Sequence, residues 1–325
     1  MWLKSVFLLP CERTSSMKTN NLKGTAILGL AAFIWGMAFV AQNMASKCVP
    51  TFTILTCRSF IGAIALLLFC SITNIKKKEP FFPKDKTARK TFYIGGIICG
   101  ICLTIASNIQ QFGMSLYPDG ANTEAHSGFL TALYVILVPI FSVMGKRKIN
   151  PIVIIGGIIA TGGIYLLCFA GGMDGLYLGD IFLFACAVAF TFHILAVDKY
   201  VGIIGGVKLS IMQFTVAGVL SLILALIFDR DTATLDGILQ GALPILYLGI
   251  MSSGVAFTLQ IVGQKYAEPA VASITMSFES VFAVLGGLLF SSGGSLKWNE
   301  IVGCAVMFIA IIVVQIPELI QSKKA

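Results

Sequence analysis

Apolar stretches the length of one bilayer crossing, joined by short polar links, recur along the whole chain. About 20 consecutive apolar residues in a helix cross the ~30 Å hydrocarbon core of a membrane. Ten such stretches are read at 24–45, 51–73, 92–115, 122–145, 151–171, 178–199, 207–228, 238–264, 269–291 and 298–317. The pattern predicts an all-α integral membrane protein with ten transmembrane helices. Composition points the same way. Only 12% of the 325 residues are charged, 57% are hydrophobic and the mean hydropathy is +0.91, whereas soluble chains carry about 25% charged residues.

The net charge of +8 suggests a nucleic-acid partner only until the charges are placed. With the N-terminus inside, cytoplasmic segments hold 19 of the 23 Lys and Arg residues. They cluster between Lys76 and Lys90 and at Lys146, Arg147 and Lys148, while the outer links hold Lys47, Arg230 and Lys297. This bias predicts cytoplasmic termini by the positive-inside rule. The basic charge therefore reports topology, with headgroup contact by the 76–90 loop as a secondary use. No nucleic-acid partner is expected. Cysteines are mostly intramembrane, with Cys48 in an outer link, so they imply no disulfide framework.

A faint repeat divides the chain. Gln110-Gln111-Phe112-Gly113, followed by Tyr117 and Pro118, parallels Gln260-Ile261-Val262-Gly263, followed by Tyr266 and Pro269, at an offset of 150 residues. The Gly-rich link near 170–180 is the natural boundary. The organisation expected is a cytoplasmic tail at 1–23, a five-helix repeat at 24–171, an outer loop at 172–177, a second repeat at 178–317 and a cytoplasmic tail at 318–325. Five spans per half means that the second half enters from the opposite side, so the repeats are inverted. Inverted repeats characterise many secondary transporters, with the substrate site near the midplane where they meet.

Several segments, in this order and spacing, resemble the EamA family of the drug/metabolite transporter superfamily over about 22–318. They are AAFIWGMAFVAQ, CRSFIGAIALLLF, FLTALYVILVPIF, LGDIFLFACAVAFTFHI and SFESVFAVLGGLLF. The resemblance implies ten helices in two inverted five-helix repeats and secondary transport, often efflux, of small metabolites such as amino acids. Two departures stand out. Glu279-Ser280-Val281 replaces the Glu-Pro-Val usual in the family's second repeat, and Phe190 stands near where many relatives place Trp. The absence of Lys or Arg from the centres of the later spans disfavours phosphorylated substrates.

Ionisable residues inside spans are functional candidates, since each costs at least ~2.5 kcal/mol at a helix centre. Glu279 lies ~15 Å from the cytoplasmic edge and Arg58 ~10 Å below the outer edge, counted at 1.5 Å per residue. Their depths allow them to pair. An unpaired Glu279 favours the neutral acid and suits a proton carrier, or it grips a substrate amine; paired with Arg58, it stays charged as a bridge or gate. Arg58 is expected to snorkel outward toward acidic loop groups. His126 and His193 differ in depth by ~16 Å, too far to share a metal, and no metal site or cofactor is expected. Coupling or gating is assigned to Glu279, Arg58 and His126.

Polar and aromatic stripes complete the substrate-path set. Trp35, Phe39 and Gln42 share a face of the first span. Glu124, Ser127, Thr131 and Tyr134 share one of the fourth, and Ser273, Ser277 and Ser280 one of the ninth. Gln110, Gln111, Phe190 and His193 are added from the third and sixth spans. Gly96 and Gly100 read as helix packing. No P-loop or catalytic constellation is visible, so neither ATP-driven pumping nor an enzyme is expected. The reading is a secondary carrier, by uniport or proton coupling, in the cell (plasma or inner) membrane of a bacterium. Its partners are a small-molecule substrate, a proton and the lipid bilayer; no oligomeric state is assigned. The alternative class is a non-transporting polytopic receptor or assembly subunit.

Overall fold

The structure, a computed structural model, describes residues 21–77, 81–83, 85–118, 123–145, 149–168, 177–290 and 298–322. Most of the N-terminal tail, the link at 169–176 and the 146–148 cluster lie outside the described residues. Among the described residues the fold is all helical. Helices α1 (Asn21–Ser46), α2 (Thr51–Lys77) and α3 (Lys86–Ser115) are followed by α4 (Thr123–Ala132), α5 (Tyr134–Met144) and α6 (Pro151–Cys168). The second half has α7 (Leu178–Ile204), α8 (Gly206–Phe228), α9 (Leu235–Gln240) and α10 (Ala242–Tyr247). A π-helical segment (Leu248–Ala256) then leads through α11 (Phe257–Gln264), α12 (Pro269–Met276) and α13 (Glu279–Phe290) to α14 (Trp298–Ser322).

Among the described residues, eight helical stretches are long and apolar enough to cross a membrane, and Pro151–Leu166 and Ile301–Val314 form two shorter apolar helices. Large apolar side chains cover their outward faces, among them Leu68, Ile158, Leu226 and Leu289. A surface of that kind is stable against hydrocarbon and not against water.

The expected fourth, eighth and ninth spans are not single regular α-helices. The fourth breaks at Leu133 and the ninth at Ser277 and Phe278. Leu133 and Ser277 have nearly the same conformation, φ −59° ψ −12° and φ −60° ψ −12°. At each break the backbone switches to tighter i→i−3 bonds: Ile136 N–H to Leu133 O in one, Ser280 N–H to Ser277 O in the other. The backbone at each break is thus wound more tightly than in the flanking α-helix. Pro139 lies inside α5, where its missing N–H leaves the Val135 carbonyl without its usual helical partner. In the eighth stretch, Phe257 N–H bonds Ser252 O, the i→i−5 spacing of a π turn.

The halves pack by exchange. Helix α3 lies on α7, and the π segment and α11 lie correspondingly on α1. Helix α1 packs on α12 and α13 as α7 packs on α4 and α5, while α6 meets α14. Glycines permit the closest approaches. A methyl at Gly36 would overlap the Phe282 Cβ and lie 2.8 Å from the Glu279 carbonyl oxygen, so α1 presses directly on the start of α13. Gly96 and Gly100 similarly admit Met212 and Val216 of α8. Between α7 and α8 the chain turns at Gly205, whose φ of +86° disfavours any residue with a Cβ.

Candidate functional site

The two broken helices meet in the interior. Tyr134 and Glu279 are each the first residue after their break. The Tyr134 hydroxyl donates to Glu279 Oε1 at 2.8 Å. Both are buried. Beside them a cavity is lined by Trp35, Ala38, Phe39, Gln42, Arg58, Ser107, Gln110, Thr131, Tyr134, Phe190, Ile194, Ser252, Phe257, Gln260, Met276 and Glu279.

Most of that lining is paired across the two halves. Trp35 with Phe190 and Phe39 with Ile194 are separated by 155 residues. Ser107 with Phe257 and Gln110 with Gln260 are separated by 150, and Thr131 with Met276 and Tyr134 with Glu279 by 145. Ala38, Gln42, Arg58 and Ser252 have no counterpart in the lining. The cavity thus draws paired positions from both halves and adds an unpaired polar group at Gln42, Arg58 and Ser252.

Arg58 dominates that group. It is 6% exposed and does not snorkel outward. Its Nε donates to Ser253 Oγ at 3.1 Å, Nη1 to Gln42 Oε1 at 3.1 Å and Nη2 to Ser252 Oγ at 2.7 Å. The pairing with Glu279 that the depths allow is not made, and Arg58 meets these neutral acceptors instead. Two consecutive serines reach one guanidinium because the π segment lies tightly on α2. A methyl at Gly62 would stand 2.9 Å from Ser253 Cβ, and one at Gly249 2.6 Å from Ile61 Cβ. Elsewhere in the cavity, Gln110 Nε2 donates to Thr131 Oγ1 at 3.1 Å. Trp35 Nε1 and Gln260 Oε1 are buried without a hydrogen-bond partner among the described residues. Trp35 packs edge-on to Phe257, with ring centroids 4.7 Å apart.

The EamA-like transporter family matches this chain twice, over residues 22–169 and 177–316. The chain belongs to the EamA-like transporter family. It is also 26% identical over 268 residues to an uncharacterized transporter of Archaeoglobus fulgidus, covering 79% of this chain and 75% of that protein. One solved crystal structure is similar with a TM-score of 0.71 at 17% identity, covering 90% of this chain and 96% of its own, a likeness of fold.

In this EamA-like transporter the other residues singled out from the sequence lie away from the cavity lining. His193 bonds Gln213, Nε2 to Oε1 at 3.1 Å, behind Phe190. Gln111 and Ser127 are fully buried. Ser273 and Ser277 donate to their own helix, to the carbonyls of Ala270 and Ile274, and Ser280 donates to the Gly128 carbonyl at 2.8 Å. The ninth-span serine stripe is therefore packing, and that stretch reaches the cavity through Met276 and Glu279.

His126 belongs to a separate cluster where α3 ends and α4 and α7 begin. Its Nδ1 lies 3.1 Å from Asp180 Oδ1, and the Tyr117 hydroxyl donates to the same oxygen. The Tyr177 N–H donates to Asp180 Oδ2 at 2.8 Å. Burial and the bond to Asp180 push the Tyr117 phenol well above its ordinary range, so it stays a donor. Nearby, Asn43 Nδ2 donates to Glu124 Oε1 at 2.6 Å, which takes Glu124 out of the expected stripe. Ser107, Ile194, Ser252, Phe257 and Met276 line the cavity without being singled out by the sequence. The 150- and 155-residue offsets, applied to Gln110 and Phe39, would have found Gln260 and Ile194.

Proposed function

We propose that the protein is a secondary transporter that exports small metabolites such as amino acids by alternating access. Ten helices cross the cell membrane as two inverted five-helix repeats at 24–171 and 178–317, with both termini cytoplasmic. The observation that carries this reading is the Tyr134–Glu279 bond. It joins the break of one half to the break of the other at the wall of a shared cavity. Rocking one half against the other changes which side reaches that cavity. Glu279 is the proton-coupling group. It sits in the cavity wall with a single neutral donor described, where binding a proton removes a costly buried charge.

Reconstituted protein is expected to concentrate, or exchange by counterflow, a metabolite in sealed vesicles. With Glu279→Gln, transport driven by a pH gradient should be abolished while exchange of the same solute persists. Gradient-driven flux that survives the substitution removes Glu279 from coupling. Failure of every solute in a broad panel removes transport itself.

A further inference from the structure

We infer that Arg58 is the anchor for a carboxylate on the transported solute, and that the cavity therefore selects carboxylate-bearing molecules over their amides and amines. The inference rests on the transport reading of the same cavity.

Three observations converge on it. First, the guanidinium is buried and its three bonded partners are neutral: Ser253, Gln42 and Ser252. A guanidinium has five N–H groups. Among the described residues those three bonds leave one N–H on each terminal nitrogen, and these are donors for the oxygens of a carboxylate. A cation buried among neutral groups carries a desolvation cost that an arriving anion offsets.

Second, the fold supplies an internal control. Helices α2 and α8 begin at Thr51 and Gly206, 155 residues apart, and at the same offset Arg58 corresponds to Gln213. Gln213 is fully buried, is bonded to His193 and does not line the cavity. A neutral amide therefore occupies this position in one half, so the charge in the other is not a requirement of helix packing. Third, the same cavity holds a buried donor and a buried acceptor with no partner among the described residues, Trp35 Nε1 and Gln260 Oε1. Such atoms are costly to bury unless water or a bound solute meets them.

The test uses purified full-length protein and matched probes: phenylalanine against phenylalaninamide, leucine against leucinamide, and 3-phenylpropionate against its amide. Binding is read by tryptophan fluorescence and uptake by counterflow in vesicles. In at least one pair the acid should bind about tenfold or more tightly than the amide. Arg58→Gln should bring that ratio to about one, and Arg58→Lys should keep part of it, because the charge remains without the fork. Amides that bind as well as acids overturn the inference. So does a panel in which no acid binds, or a preference that persists in Arg58→Gln. The wild-type comparison needs no variant, so a misfolded Arg58→Gln does not shelter the claim. Acid-selective binding without counterflow overturns the transport reading and leaves the anchor in place.

Discussion

Tyr134 supplies Glu279 with a hydroxyl donor from the opposite half, which offsets part of the cost of burying the carboxyl group. Tyr134→Phe removes that donor while keeping the ring, and should destabilise the protein by about 1–3 kcal/mol, the cost of stranding a buried polar group. In a Glu279→Ala background, which removes the acceptor, the same change should cost less. The difference, read from unfolding in detergent, is the coupling between the two residues, about 0.5–3 kcal/mol. Additive effects would mean that the bond contributes nothing to stability. Glu279 and Arg58 are both conspicuous in the sequence as lone charges in apolar runs. Their partners are not. Ser252 and Ser253 are ordinary residues in a small-residue stretch, and only the packing of the π segment on α2 brings them to Arg58.

Helix existence is plain in the run of apolar residues, since length and hydropathy suffice to read it. The irregularities inside the helices are not. Nothing in YVILVPIF marks the break at Leu133, since Pro139 lies inside the helix that follows it, and the break at Ser277 carries no proline of its own. Each is a short stretch of tighter winding, too brief to disturb an apolar run. The stripe from Glu124 to Tyr134 assumes an unbroken helix, and the break at Leu133 falls inside it. Close packing is a further element-scale property, and Gly36 tests it. Gly36→Val would force α1 away from Phe282 and from the Glu279 backbone. It should destabilise by about 1–3 kcal/mol or more, as overpacked interiors do, measurable as a lowered unfolding temperature. An unchanged midpoint would show that the two helices separate freely.

At the scale of the molecule, the Lys and Arg distribution and the packing of the helices make separate statements: one concerns orientation, the other shape. Orientation is open to direct chemistry. Cys48 is exposed in the link between α1 and α2. In a variant retaining Cys48 as its only cysteine, an impermeant maleimide should label intact cells from outside. Labelling only after permeabilisation would reverse the assignment of both termini.

The mismatch between paired positions and an unpaired polar group has a kinetic consequence. Exchanging the two halves leaves Trp35 over Phe190 and Gln110 over Gln260, but sets Ser107 over Phe257 and Thr131 over Met276. Arg58 has no counterpart at all in that exchange. A solute gripped there keeps a single heading throughout the cycle, so loading from the two faces of the membrane begins with opposite ends of the molecule. Such a carrier need not run equally well in both directions.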